Sequence, residues 1–134
     1  MMDDFRIHAC TDVTGFGLLG HLKEMTTASG VDAEIFSTDV PFLDQVEDLV
    51  MTGVIPGGTE NNFSYLTDWI DWEGDITNTL KMILCDAQTS GGLLISVHPD
   101  DAGLLLEKLH GAKIPAARII GQMSKKGAGK IKVN

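Results

Sequence analysis

Cysteine, cationic side chains and aromatic rings are all scarce in this chain, and each shortage closes a door. Two cysteines in 134 residues cannot make a disulfide framework, and both stand in apolar runs, Cys10 and Cys85, where burial as free thiols is expected. That pattern fits a reducing cytoplasm. Ten Lys and Arg against 19 Asp and Glu leave a formal charge of −9, which argues against non-specific nucleic-acid binding, because neutralising phosphates takes clustered cations. No apolar run approaches the roughly 18 residues of a spanning helix, and Met1-Met2-Asp3-Asp4 lacks the basic start of a signal peptide. Secretion and membrane insertion are therefore not expected.

The rest of the composition describes a folded domain. Apolar residues make up 43% of the chain while aromatics make up 6%, so the core must be aliphatic. The length suits a single domain spanning 1–134. Charge is unevenly placed: residues 1–80 carry 15 acidic and 2 basic side chains, and residues 81–134 carry 4 and 8. A solvated acidic surface accounts for this without a specific partner.

Periodicity predicts interleaved strands and helices. Phe5–Cys10 reads as a strand. Phe16, Leu18, Leu19, Leu22 and Met25 form a helical stripe that Gly30 closes in the left-handed conformation. Val31 to Phe36 alternates as a strand, Pro41 opens a helix that Gly53 ends, and Thr59 is placed to cap a helix running to Trp69 and Ile70. The Trp69 and Trp72 pair reads as core. Lys81–Asp86 and Gly92–His98 read as strands, Pro99–Gly111 as a helix, and Ala117–Met123 with Lys130–Val133 as a hairpin around a basic turn. The expected class is α+β, a mixed β-sheet with helices packed on it.

Chemistry concentrates in His8-Ala9-Cys10-Thr11-Asp12-Val13-Thr14-Gly15-Phe16-Gly17-Leu18-Leu19-Gly20-His21. Gly15, Gly17 and Gly20 match a dinucleotide fingerprint, with Asp39 about twenty residues beyond. Thr11 to Thr14, however, intervene between strand and first glycine and place a carboxylate where a pyrophosphate would sit. The same glycines read equally as close helix packing or as another kind of phosphate or metal surface. His8, Cys10 and Asp12 share one strand face, yet three ligands along a straight strand are too spread for a tetrahedral zinc site. Asp12 alone reads as either a helix N-cap or a hard-cation ligand. Asp86-Ala87-Gln88-Thr89-Ser90-Gly91-Gly92 reads as a polar turn or a backbone cradle for phosphate, and Gly57-Gly58-Thr59 with Asn61 and Asn62 as a weaker version of the same.

Taken together, these three motifs resemble the carboxy-terminal domain of selenophosphate synthetase (selenide, water dikinase), over nearly the whole chain. The Gln-Thr-Ser-Gly-Gly turn is shared more widely with aminoimidazole ribonucleotide synthetase and its relatives. The resemblance implies conversion of ATP, selenide and water to selenophosphate, AMP and orthophosphate with Mg²⁺. It implies that Asp12 is a metal ligand, that Thr11, Gly15 and Gly17 line the same cleft, and that Gly91 and Gly92 approach phosphate. It further implies a homodimer in the full-length form, made mainly through an amino-terminal domain that holds the nucleophilic cysteine or selenocysteine and its partner lysine. Nothing in these 134 residues replaces that pair, so no catalytic residue is assigned here and the chain alone is expected to be inactive. Cys85 and Ala87 stand where the family commonly has an aromatic residue and a proline. The alternatives are a domain of another enzyme of that superfamily, or a non-catalytic interaction module.

Overall fold

The computed structural model describes residues 4–134. Strand β1 (Ile7–Asp12) pairs antiparallel with β4 (Leu93–Val97) as a separate two-stranded ribbon. A second, four-stranded sheet has the order β3-β6-β2-β5, from β3 (Ile70–Trp72), β6 (Ile131–Val133), β2 (Ala33–Ile35) and β5 (Gly121–Met123). β6 runs parallel to both β2 and β3, while β5 runs antiparallel to β2, so the sheet is mixed. Among the described residues there are five α-helices, α1 (Gly17–Ser29), α2 (Val46–Met51), α3 (Gly57–Leu66), α4 (Asn78–Leu84) and α5 (Pro99–Gly111), and a short 3-10 turn at Ser37–Asp39. The α+β class expected from periodicity holds.

Alternation decides the layering of the larger sheet. Ala33, Ile35, Ile70, Ile131 and Val133 point inward and meet Leu19, Leu22 and Met25 of α1, with Leu66 and Leu84 closing the core. Ile131 and Val133 are wholly buried, and each such side chain contributes about 1.5–3 kcal/mol by leaving water. The opposite face carries a polar row in register, Asp71 beside Lys132, Lys132 beside Glu34, Glu34 beside Gln122. Gln122 donates to the Glu34 carboxylate at 2.7 Å, which with Asn134 and Lys132 holds that carboxyl below its ordinary pKa.

Several expectations are corrected. Lys81–Asp86 is not a strand: the chain forms α4, whose N-cap Thr77 accepts from the Leu80 amide at 3.2 Å. Residues Ile70–Trp72 leave α3 behind and form β3. α2 begins at Val46, after Gln45 in a left-handed conformation, rather than at Pro41. β5 and β6 do not pair as a hairpin, because β2 lies between them. The basic loop joining them is pinned by the Asp32 carboxylate, which accepts from the amides of Ala128 and Lys130 at 2.8 Å each. Trp69 is only half-buried, with the ammonium groups of Lys23 and Lys130 over its ring. Cys85 is buried as expected, whereas Cys10 is exposed, since every second side chain of β1 faces outward.

Candidate functional site

β1 delivers the first motif to one end of the ribbon. His8, Cys10 and Asp12 do share its outward face, while Thr11 is half-buried on the other. Among the described residues no three of His, Cys, Asp and Glu come together as a metal-binding group, so the strand triplet is not a compact metal centre. The structure also removes the N-cap alternative for Asp12. It ends β1, whereas α1 starts at Gly17 behind Phe16, with no side-chain cap. Among the described residues no hydrogen bond or ion pair engages the Asp12 carboxylate.

Beyond Asp12 the chain turns sharply and is locked to the second motif. The Thr14 carbonyl accepts from the amides of Gly17 at 2.9 Å and Gln88 at 3.1 Å, and the Val13 carbonyl accepts from Gly91 at 3.0 Å. Gly92 returns the favour by accepting from the Val13 amide. Two glycines make this contact possible. Gly17 has φ +70°, and a Cβ there would lie 2.7 Å from the Asp86 carbonyl oxygen and 2.8 Å from that of Cys85. A Cβ on Gly91 would strike the Val13 carbonyl. Gly15 and Gly92, by contrast, are exposed and have open space where a side chain would stand.

The third motif braces the other two. Asn62 of α3 donates its side-chain amide to the carbonyls of Gly15 at 2.9 Å and Cys85 at 3.1 Å. Thr59 does not cap its helix, whose N-cap is Pro56. Its buried hydroxyl instead donates to Asp86 Oδ1 at 2.5 Å and accepts from the Ala87 amide. Gln88 donates to the other Asp86 oxygen at 3.0 Å. Asp86 is thus a structural acceptor, occupied on both oxygens. Burial pushes the adjacent Cys85 thiol up to about 12, so it stays protonated and unreactive.

The dinucleotide reading fails on topology. The glycine turn follows a strand whose partner is antiparallel, and no parallel βαβ unit frames it. Thr14, His21 and Glu24 had no role in the sequence pattern, and Asn62 entered it only as part of the weaker Gly57-Gly58-Thr59 turn. The paired asparagines after Pro56-Gly-Gly were visible in the sequence, but which carbonyls they reach is set by folding.

A family model described as AIR synthase related protein, C-terminal domain, matches residues 1–134. The chain belongs to this family. Among curated relatives, it is 42% identical over 123 residues to the selenide, water dikinase of Aliarcobacter butzleri (strain RM4018), covering 92% of this chain and 35% of the relative. It is 46% identical over 121 residues to that of Clostridium botulinum (strain Eklund 17B / Type B), covering 90% and 35%. The corresponding protein of Salmonella typhi is 49% identical over 94 residues, 70% of this chain and 26% of the relative. The chain therefore spans about a third of the length of the first two relatives. A solved structure of the hydrogenase maturation protein HypE superposes with a TM-score of 0.56 at 20% identity, covering 93% of this chain and 33% of that one. This places the fold of the AIR synthase related domain on firm ground.

Proposed function

We propose that this AIR synthase related domain is the carboxy-terminal part of a selenide, water dikinase, and that it supplies one wall of an ATP site shared with an amino-terminal domain. The observation that carries the reading is the convergence of three separated motifs on the end of β1. There the Asp12 carboxylate stands exposed beside a loop that the other two motifs brace.

The donor set fits Mg²⁺ as a shared ligand. Mg²⁺ is held by one or two carboxylates together with water and substrate phosphate oxygens, so a single exposed carboxylate from this domain is an appropriate contribution. When bound, the cation offsets the negative charge of the triphosphate during phosphoryl transfer. Asp12 holds it from this side. Gly15, Gly17, Gly91 and Gly92 line the nucleotide side of the wall: Gly15 and Gly92 offer open backbone, and Gly17 and Gly91 keep the two loops at contact distance. Thr11, whose side chain faces the other side of β1, adds only its backbone. Asp86, Thr59 and Asn62 hold that wall in shape.

The reaction converts ATP, selenide and water to selenophosphate, AMP and orthophosphate. The nucleophilic cysteine or selenocysteine and its lysine come from the amino-terminal domain, the full-length protein is a homodimer, and its place is the reducing cytoplasm, where an exposed free Cys10 persists. The 134-residue chain given ATP, Mg²⁺ and selenide therefore forms no AMP above background, whereas the full-length chain forms AMP only when selenide is present. Turnover by the 134 residues alone would contradict the shared-site reading. ATP consumption by the full-length chain that ignores selenide would assign it to another enzyme of the superfamily, and no nucleotide chemistry in either would favour a non-catalytic interaction module.

A further inference from the structure

His21 is a buried histidine with both ring nitrogens engaged. Its Nε2 lies 3.0 Å from the Thr14 hydroxyl and its Nδ1 lies 3.2 Å from a Glu24 carboxylate oxygen. The Phe16 ring stands 5.6 Å from the imidazole. The hydroxyl, the imidazole and the carboxylate therefore form a chain that runs from the exposed side of α1 into the loop after Asp12. The neighbouring Thr59, Asp86 and Gln88 side chains bond to one another and to the Ala87 amide, and Asn62 bonds to backbone carbonyls. The chain through His21 ends on a side-chain hydroxyl in the motif loop.

The direction of the hydrogen bonds follows from what each group can do. A carboxylate only accepts, so the proton sits on His21 Nδ1. In the neutral ring Nε2 then carries a lone pair, and Thr14 must donate to it. With its single proton spent, Thr14 Oγ1 has only lone pairs left to offer. It cannot donate to a phosphate oxygen, but it suits a cation or a cation-bound water. Thr14 follows Asp12 by two residues, in a loop fixed by the Gly17 and Gln88 amides on the Thr14 carbonyl.

We propose that His21 is a positioning residue, oriented by Glu24, that turns the Thr14 hydroxyl into an acceptor within the cation shell of Asp12. This deepens the metal role proposed above for Asp12 and rests on it. The arrangement is the familiar one of an outer carboxylate and histidine orienting an inner group, and loss of such partners weakens metal binding by about 10–100-fold.

The test measures Mn²⁺ binding by electron paramagnetic resonance on the full-length protein, with a non-hydrolysable ATP analogue and no selenide. Thr14→Val keeps the shape and removes the hydroxyl, and His21→Gln and Glu24→Gln interrupt the chain further out. Thr14→Val and His21→Gln are expected to weaken Mn²⁺ binding by about 10–100-fold, Glu24→Gln by less, and Thr14→Ser to bind as the wild type does. Thermal melts separate loss of folding from loss of binding. Wild-type affinity in Thr14→Val, or equal losses in Thr14→Val and Thr14→Ser, would overturn the inference while leaving Asp12 untouched, provided Asp12→Asn loses Mn²⁺ in the same assay. Wild-type affinity in Asp12→Asn would instead overturn the metal reading beneath it. Neither result depends on whether selenide is the acceptor.

Discussion

The Thr59 hydroxyl donates to the Asp86 carboxylate at 2.5 Å across 27 residues of sequence. Thr59 is 1% exposed, so its hydroxyl depends on this bond in place of water, while Asp86 is only half-buried. Thr59→Val would leave the Ala87 amide without its acceptor and one Asp86 oxygen without its donor. A loss of about 1–3 kcal/mol in unfolding free energy is expected, read from urea denaturation. A stability equal to the wild type would show that the two motif loops are not joined through this bond.

The glycines of the two loops divide into pairs with opposite expected behaviour. Gly17→Ala forces a side chain at φ +70° against the carbonyls of Cys85 and Asp86, and Gly91→Ala drives one into the Val13 carbonyl. Each costs about 1–3 kcal/mol through overpacking or backbone strain. Gly15→Ala and Gly92→Ala meet open space and change stability by no more than about 0.5 kcal/mol, while raising the KM for ATP of the full-length protein. Thermal melts beside ATP titrations check both halves, and a stable Gly17→Ala variant would remove the close-packing role given to that residue.

The two cysteines differ in reach and in protonation. An aromatic disulfide reagent is expected to consume one thiol at once, at Cys10, and the second only when urea unfolds the chain. Cys85 holds its proton because burial raises its pKa to about 12. The stability contributed by that neutral buried thiol is complete below about pH 8.5, the unfolded value. It is lost as pH rises toward 12. Prompt reaction of both thiols in the native state would contradict the burial of Cys85.

Local signals were the readable part of this fold. Gly30 ends α1 in the left-handed conformation as its position after an apolar stripe implied, and Pro99 opens α5 at its first turn. The strands β1 and β4 emerged within two residues of their read limits, β1 because polar and apolar positions alternate there and β4 because Leu93 to Val97 is a short, mostly apolar run between the Gly91-Gly92 turn and Pro99. α4 was misread because Met82-Ile83-Leu84-Cys85 is a short apolar run with no period of its own, and the decisive cue was Thr77 as an N-cap. The insertion of β2 between β5 and β6 is a non-local pairing that no turn sequence encodes. Asp12 stood out from its neighbours as a carboxylate at a strand end. The Thr14, His21 and Glu24 chain stayed hidden because its first link depends on how the loop folds back on α1, and the i, i+3 spacing of His21 and Glu24 is common on any helix.

The most direct test of the account is selenide-dependent AMP and orthophosphate formation by the full-length protein, wild type against Asp12→Asn, with ATP and Mg²⁺. The account predicts that the wild type makes AMP only when selenide is supplied and that Asp12→Asn loses this activity while melting at the wild-type temperature. Undiminished selenide-dependent turnover in Asp12→Asn would contradict it.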